Sequence, residues 1–220
     1  MKHYFLLLLL IGCIASGRAE SGWKAHWINT ERCQSATNTW LAFRKTVHID
    51  KVPQTLTARI AADSKYWLWI NGRLVVFEGG LKRGPSPDDT YYDPVEIASY
   101  LQNGENTIAV LVWHFGKSGF SHVNSGLAAL LFEAVAPGIE IVSDKSWQCT
   151  VYDAYQNTGA PYPNYRLPES NIRFDARMEM SGWNQPGYTG KMPNAEVISP
   201  VGGVPLGKLV ERPIPLWKDY

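Results

Sequence analysis

Charge is scarce in this sequence. Only 19% of its 220 residues are Asp, Glu, Lys or Arg, against roughly 25% in an ordinary globular domain, and no block of like charges stands out. A formal net charge of +1 gives no electrostatic basis for binding nucleic acid or an anionic membrane surface. There are three cysteines, and no His/Cys/Asp spacing of a zinc site, Walker loop or dinucleotide fingerprint occurs. Ser118 lies in Gly-Lys-Ser-Gly, which lacks the flanks of a nucleophile elbow. Internal repeats are absent, and helical periodicity nearly so. These absences remove most enzyme classes that short motifs reveal.

Aromatic residues are plentiful instead: nine Trp and eleven Tyr. Side chains of that size bring large contact areas with polar tips, which suits both a packed sandwich and a ligand surface. The opening MKHYFLLLLLIGCIASGRAE has a basic start, an apolar run and then small residues. It reads as a secretory signal over residues 1–19, too short for an ordinary membrane span. Two cleavage sites compete. Gly17-Arg18-Ala19 suits a soluble-export peptidase, giving a periplasmic protein. Leu10-Ile11-Gly12-Cys13 is similar to a bacterial lipobox, which would place a lipid anchor on Cys13 at the cell envelope. Export leaves Cys33 and Cys149 free to form a disulfide worth up to about 4–5 kcal/mol, or to stay as separate buried thiols.

Residues 20–200 read as short strands with Gly/Pro punctuation, which predicts an all-β antiparallel β-sandwich. WLAFRKTVHI (40–49) and TLTARIAA (55–62) alternate. NTIAVLVWHF (106–115) and GLAALLFEAV (126–135) are apolar enough to be buried on both faces. Only PVEIASYLQNG (94–104) reads as a short helix. Residues 201–220, rich in proline, read as a linker toward a further module. KYWLWINGRLVV (65–76) carries the strongest hairpin signal, Asn71-Gly72 between two apolar runs. Side chains alternate across a strand, so Tyr66, Leu68 and Ile70 face one way and Trp67 and Trp69 the other. If the first set is core, the two indoles form a platform that another layer, another module or a ligand must cover.

KYWLWING, YYDPVEIASYLQNGENTIAVLV, SDKSW (143–147) and IRFDARMEMSGW (172–183) occur in an order that resembles bacterial α-L-rhamnosidases of glycoside hydrolase family 78. The match is to their N-terminal, non-catalytic sandwich, and ERPIPLW resembles the linker into the next module. The resemblance implies a jelly-roll, galactose-binding-like fold and a separate catalytic (α/α)₆ barrel as partner. It also implies rhamnose-containing glycans as the substrate class. Some relatives bind L-rhamnose on such a sandwich through calcium, so calcium is an expected ligand although the fold requires no cofactor. One departure is the approach to the Asp-Ala-Arg block. Family members often have Gly-Glu there, whereas here it runs Glu169-Ser170-Asn171-Ile172-Arg173-Phe174.

Catalytic residues are not expected. Inverting glycoside hydrolysis wants two carboxyl groups roughly 6.5–9.5 Å apart across a cleft. Asp88, Asp89 and Asp93 are the densest acids, read chiefly as turn residues beside Pro85 and Pro87, with calcium ligation as the second role. Asp63 reads as a turn cap. Asp175 and Arg177 are expected on alternate positions of a strand, paired on one face. His114 and His122 flank a Gly-rich connection and read as surface loop groups. Sugar binding asks for an aromatic face with polar groups around it. Its candidates are Trp67, Trp69, Trp113, His114, Phe120, Asp175 and Arg177, and, as further aromatic faces, Tyr91, Tyr92, Tyr162 and Tyr165.

Overall fold

A computed structural model of the chain describes residues 22–31, 36–81, 84–119, 122–158, 172–203 and 205–217. The signal segment, Cys13, Cys33, Phe120, Tyr162 and Tyr165 lie outside the described residues, and with Cys33 the expected disulfide. Its would-be partner Cys149 is buried.

The strands are β1 (His26–Asn29), β2 (Thr39–Ile49), β3 (Thr57–Asp63), β4 (Lys65–Ile70), β5 (Arg73–Gly80), β6 (Thr90–Glu96) and β7 (Gly104–His114). They continue as β8 (Ala129–Ala136), β9 (Ile139–Val142), β10 (Gln148–Val151), β11 (Tyr155–Asn157), β12 (Ile172–Phe174), β13 (Glu196–Pro200) and β14 (Leu209–Glu211). One sheet has the order β13-β1-β8-β3-β6-β14, with β9 also on β8, and the facing sheet has the order β10-β2-β7-β4-β5. Pairing is antiparallel except for β14, which runs parallel to β6. The expected antiparallel β-sandwich is the observed architecture.

Its core lies between the sheets: Leu41 and Phe43 from β2, Ile60 from β3, Val110 from β7, Leu130 and Phe132 from β8, and Trp147. Tyr66, Leu68 and Ile70 of β4 belong to it and are fully buried, as the alternation of KYWLWI requires. Each such side chain withdrawn from water contributes roughly 1.5–3 kcal/mol. Two further apolar clusters cover the outer faces of the two sheets. That explains why β7 and β8 carry no polar alternation: from Asn106 onward every residue of β7 is buried, as are the first six of β8.

Asn71 and Gly72 close the β4–β5 hairpin with φ of +52° and +78°, the left-handed pair a type I′ turn needs. The Asn71 side chain fixes the turn in place. Its amide donates to Tyr100 O (3.1 Å) and Asn106 Oδ1 (2.9 Å), and its oxygen accepts from Thr107 N (2.9 Å). Further along, Tyr66 opposes Gly79 and Leu68 opposes Val76, so Phe77 and Glu78 together face Trp67. This bulge gives Glu78 a φ of +56° and re-aims its side chain.

Two local expectations are corrected. Residues 94–104 do not open a helix. Pro94 sits inside β6, opposite Arg59 and two residues beyond Tyr92, the last β6 residue paired with β14, so its missing N–H costs no bond to that strand. Only Ala98–Tyr100 forms a 3-10 turn. A second 3-10 turn, Ala176–Met178, replaces the strand expected to carry Asp175 and Arg177. Asp175 caps it, accepting from Arg177 N at 3.1 Å.

Candidate functional site

Among the described residues, three places bring the candidate residues together with other chemistry-bearing side chains. The first is the outer face of the β10-β2-β7-β4-β5 sheet. Trp40 of β2 pairs across the ladder with Trp113 of β7, and their rings stack at 4.7 Å and 10°. Trp67 stacks on Trp40 at 5.3 Å, and Tyr155 at 4.0 Å. Trp69 meets the edge of Trp183 at 5.8 Å. The platform is therefore covered from within the chain: the turns after β10 and the segment around Trp183, Tyr188 and Met192 lie over it. Arg44 ties this cover down, donating from Nε to Trp183 O (3.2 Å) and from Nη2 to Gln185 O (3.3 Å). Burial lowers the Arg44 pKa, against the raising influence of Glu105 and Tyr188. Trp67 and Trp69 remain half-buried, while Trp113 is enclosed and donates from its indole to Asn38 Oδ1 at 2.8 Å.

The second place is a buried polar knot at the end of β3. Asp63 accepts from Ser64 Oγ (2.8 Å), Ser125 N (2.9 Å) and Ser125 Oγ, and its Oδ1 lies 3.1 Å from His122 Nε2. His122 Nε2 is also 3.1 Å from Ser64 Oγ, and its Nδ1 faces Leu81 O at 2.6 Å. His114 Nδ1 is 3.2 Å from Asp63 O. Burial alone would raise the Asp63 pKa. The His122 hydrogen bond, the charges of His114 and His122 and the Ser125 hydroxyl outweigh it and hold the carboxyl at about 2. Burial holds His114 below the ordinary histidine value.

Ser64, His122 and Asp63 superficially suggest a nucleophile triad. However, Ser64 and Asp63 share one ring nitrogen of His122 while the other faces a backbone carbonyl, so no proton relay connects serine to carboxylate. Ser64 is also 1% exposed. The knot holds the fold. It corrects two expectations: Asp63 is a buried hub rather than a turn cap, and His114 and His122 are enclosed rather than surface groups.

The third place is a cleft of about 370 Å³ between the β4–β5 hairpin and the C-terminal tail. Lys65, Glu78, Leu81 and Tyr91 line one side, and Arg212, Ile214 and Trp217 the other. Lys65 Nζ lies 3.2 Å from Glu78 Oε2 and 5.7 Å from the Trp113 ring centre. Behind the cleft, Arg212 Nε is 2.5 Å from Asp93 Oδ1, and Asp93 Oδ2 accepts from Tyr66 Oη at 2.8 Å and from Gly80 N at 3.1 Å. Burial raises the Asp93 pKa, opposed by Arg212, Tyr66 and Gly80, and burial beside Asp93 drives the Tyr66 pKa well up.

The proposed calcium group is not brought together. Asp93 is committed to Arg212, Asp89 accepts from Ser86 Oγ at 2.7 Å, and among the described residues no three His, Cys, Asp or Glu side chains converge as metal ligands. Asp175 and Arg177 pair at the surface (2.6 Å), away from strand alternation; the Arg177 hydrogen bonds lower the Asp175 pKa. Sequence reasoning missed the Arg212–Asp93 pair and the tail cleft.

No protein-family model matches the sequence, and no curated protein is similar enough to count as a relative. Solved structures are similar. A GH78 family rhamnosidase of Bacillus sp. GL1 superimposes with a TM-score of 0.75 and 29% identity, over 88% of this chain and 20% of that one. The α-L-rhamnosidase from Dictyoglumus thermophilum gives 0.66 and 22%, over 89% of this chain and 23% of that one. A lectin from Pleurotus ostreatus, whose structure in complex with GalNAc is known, gives 0.50 and 22%, over 83% and 44%. The chain thus spans about a fifth of the length of these rhamnosidases. The resemblance read from the four sequence blocks is borne out in the fold: the chain is similar to one module of GH78 rhamnosidases, as an N-terminal part would be.

Proposed function

We propose that this chain is a non-catalytic accessory module of an exported α-L-rhamnosidase-type glycoside hydrolase. It packs against and orients a catalytic (α/α)₆ barrel, and touches rhamnose-containing glycan without cleaving it. The observation that carries this reading is the coverage: nearly all of this chain matches only about a fifth of a rhamnosidase. The disposition of the acids supports it. Asp63, Asp93 and Glu133 are buried and each is consumed by internal partners, namely the histidines, Arg212 and Arg59. A glycosidase needs two carboxyl groups facing each other across solvent, one of them holding a proton near neutral pH. Export rests on the leader, with Cys13 as the alternative site of anchoring.

The experiment is direct. The purified chain, incubated with an aryl α-L-rhamnoside, is expected to release no phenol above the buffer rate. Turnover that disappears on replacing a single carboxylate would overturn the reading.

A second reading, a stand-alone sugar-binding protein, draws on the likeness to a lectin and on the aromatic-walled cleft. It differs in requiring glycan affinity from the isolated chain.

A further inference from the structure

We propose that the cleft between the β4–β5 hairpin and the 212–217 tail is a metal-independent binding site for one neutral sugar unit. This rests on the reading that the chain works in a glycan-processing assembly, and names a place and a ligand class for it.

Size comes first. A volume of about 370 Å³ lies at the low end of the roughly 300–1,000 Å³ typical of small-molecule sites, and suits a single ring better than a polymer chain. The walls come next. Leu81, Pro213 and Ile214 are aliphatic, Tyr91 and Trp217 aromatic, and Ile214 and Trp217 are 63% and 71% exposed. Large apolar groups left in water beside a concavity are what a ring with an apolar C–H face would cover.

The polar groups favour hydroxyls. Lys65 and Glu78 stand side by side with side chains 12% and 29% exposed. The ammonium has three N–H donors, one of them directed to Glu78, and among the described residues Glu78 Oε1 has no protein partner. A donor beside an acceptor matches two adjacent hydroxyl groups. Among the described residues the two cations, Lys65 and Arg212, are balanced by Glu78 and Asp93, which gives the lining no net preference for an anionic ligand. The acceptor is also deliberately placed. Glu78 reaches the cleft through a bulge with φ of +56°, and Leu81, next on the same wall, has φ of +80°. Non-glycine residues held in the left-handed region concentrate at binding and catalytic sites. None of these groups is a calcium candidate named above apart from Asp93, which Arg212 neutralises.

The test is calorimetric titration of the full chain, in EDTA, with L-rhamnose, D-galactose and D-glucuronate. The proposal expects saturable binding of at least one of the two neutral sugars and weaker binding of the uronate. Trp217→Ala and Glu78→Gln, both at exposed or half-exposed side chains, should each weaken it roughly tenfold or more. Circular dichroism checks that both variants are folded. No saturable binding of either neutral sugar by folded protein overturns the proposal. So does binding that EDTA abolishes, or affinity unchanged in both variants. The hydrolysis assay on the same preparation separates the two readings. A silent titration without turnover removes the sugar site and leaves the accessory role, whereas turnover removes the accessory role.

Discussion

His122 Nε2 lies 3.1 Å from Asp63 Oδ1 with both side chains out of solvent, so a loop histidine and the end of β3 are joined inside the protein. The carboxyl of Asp63 is held at about 2, below its ordinary 3.8. The unfolded chain therefore takes up this proton first. Stability from the group is present in full above about pH 5, amounts to roughly 2 kcal/mol, and is lost progressively as pH falls from there through 2. His114, held low by burial, acts in the same direction, since the unfolded chain protonates it first below its ordinary 6.5. Urea unfolding between pH 7 and 3 should show a falling midpoint, and Asp63→Asn should flatten the lower part of that curve. An equal slope in the variant would refute this account.

Arg212 and Asp93 are 7% and 3% exposed. Removing one member of such a pair strands a buried charge, at a cost of about 3–5 kcal/mol. Arg212→Ala should lower stability by that amount, and Asp93→Asn in the same background should restore part of it. A double-mutant cycle with no coupling would show that the pair is incidental.

A Cβ on Gly79 would sit 2.2 Å from the Tyr66 ring. Tyr66 is fully buried and its hydroxyl is bound to Asp93, so the ring has nowhere to go. Gly79→Ala should destabilise by about 1–3 kcal/mol or more, as overpacking does. Chemical denaturation measures it; a neutral result would mean the hairpin shifts freely at its bulge.

Trp147 is fully buried, packs on Phe132, and donates its indole N–H to Val142 O at 2.8 Å. Trp147→Ala should cost about 3–5 kcal/mol. Trp217→Ala, at a largely exposed side chain, should stay within about 0.5 kcal/mol. Thermal melts of the two variants side by side would separate core tryptophan from surface tryptophan.

Local pattern carried the architecture far. The alternation in YWLWI placed Tyr66 in the core and the indoles on the other face, Asn71-Gly72 fixed the hairpin, and the unbroken apolar runs of β7 and β8 announced burial on both sides. These are properties of neighbouring residues. What stayed hidden depends on contacts between distant ones. Asp63 bonds Ser125 at a separation of 62 positions, and nothing near Asp63 in the chain distinguishes a hub from a turn residue. Arg212 meets Asp93 because β14 lies beside β6, a parallel pairing that no short pattern encodes. The helix expected at 94–104 failed for the same reason: sheet partners on β3 overrode a weak local cap signal. His114 reads as a loop residue only while the end of β7 is unknown.

The attachment of the tail has a mechanical consequence. Arg212 is fastened three ways: its N–H to Tyr92 O (3.0 Å), its guanidinium to Asp93, and its Nη1 to Gly80 O (3.3 Å). A peptide so gripped cannot swivel. Torque applied beyond it would be delivered to β6 and to the hairpin corner, making the tail a bracket rather than a hinge.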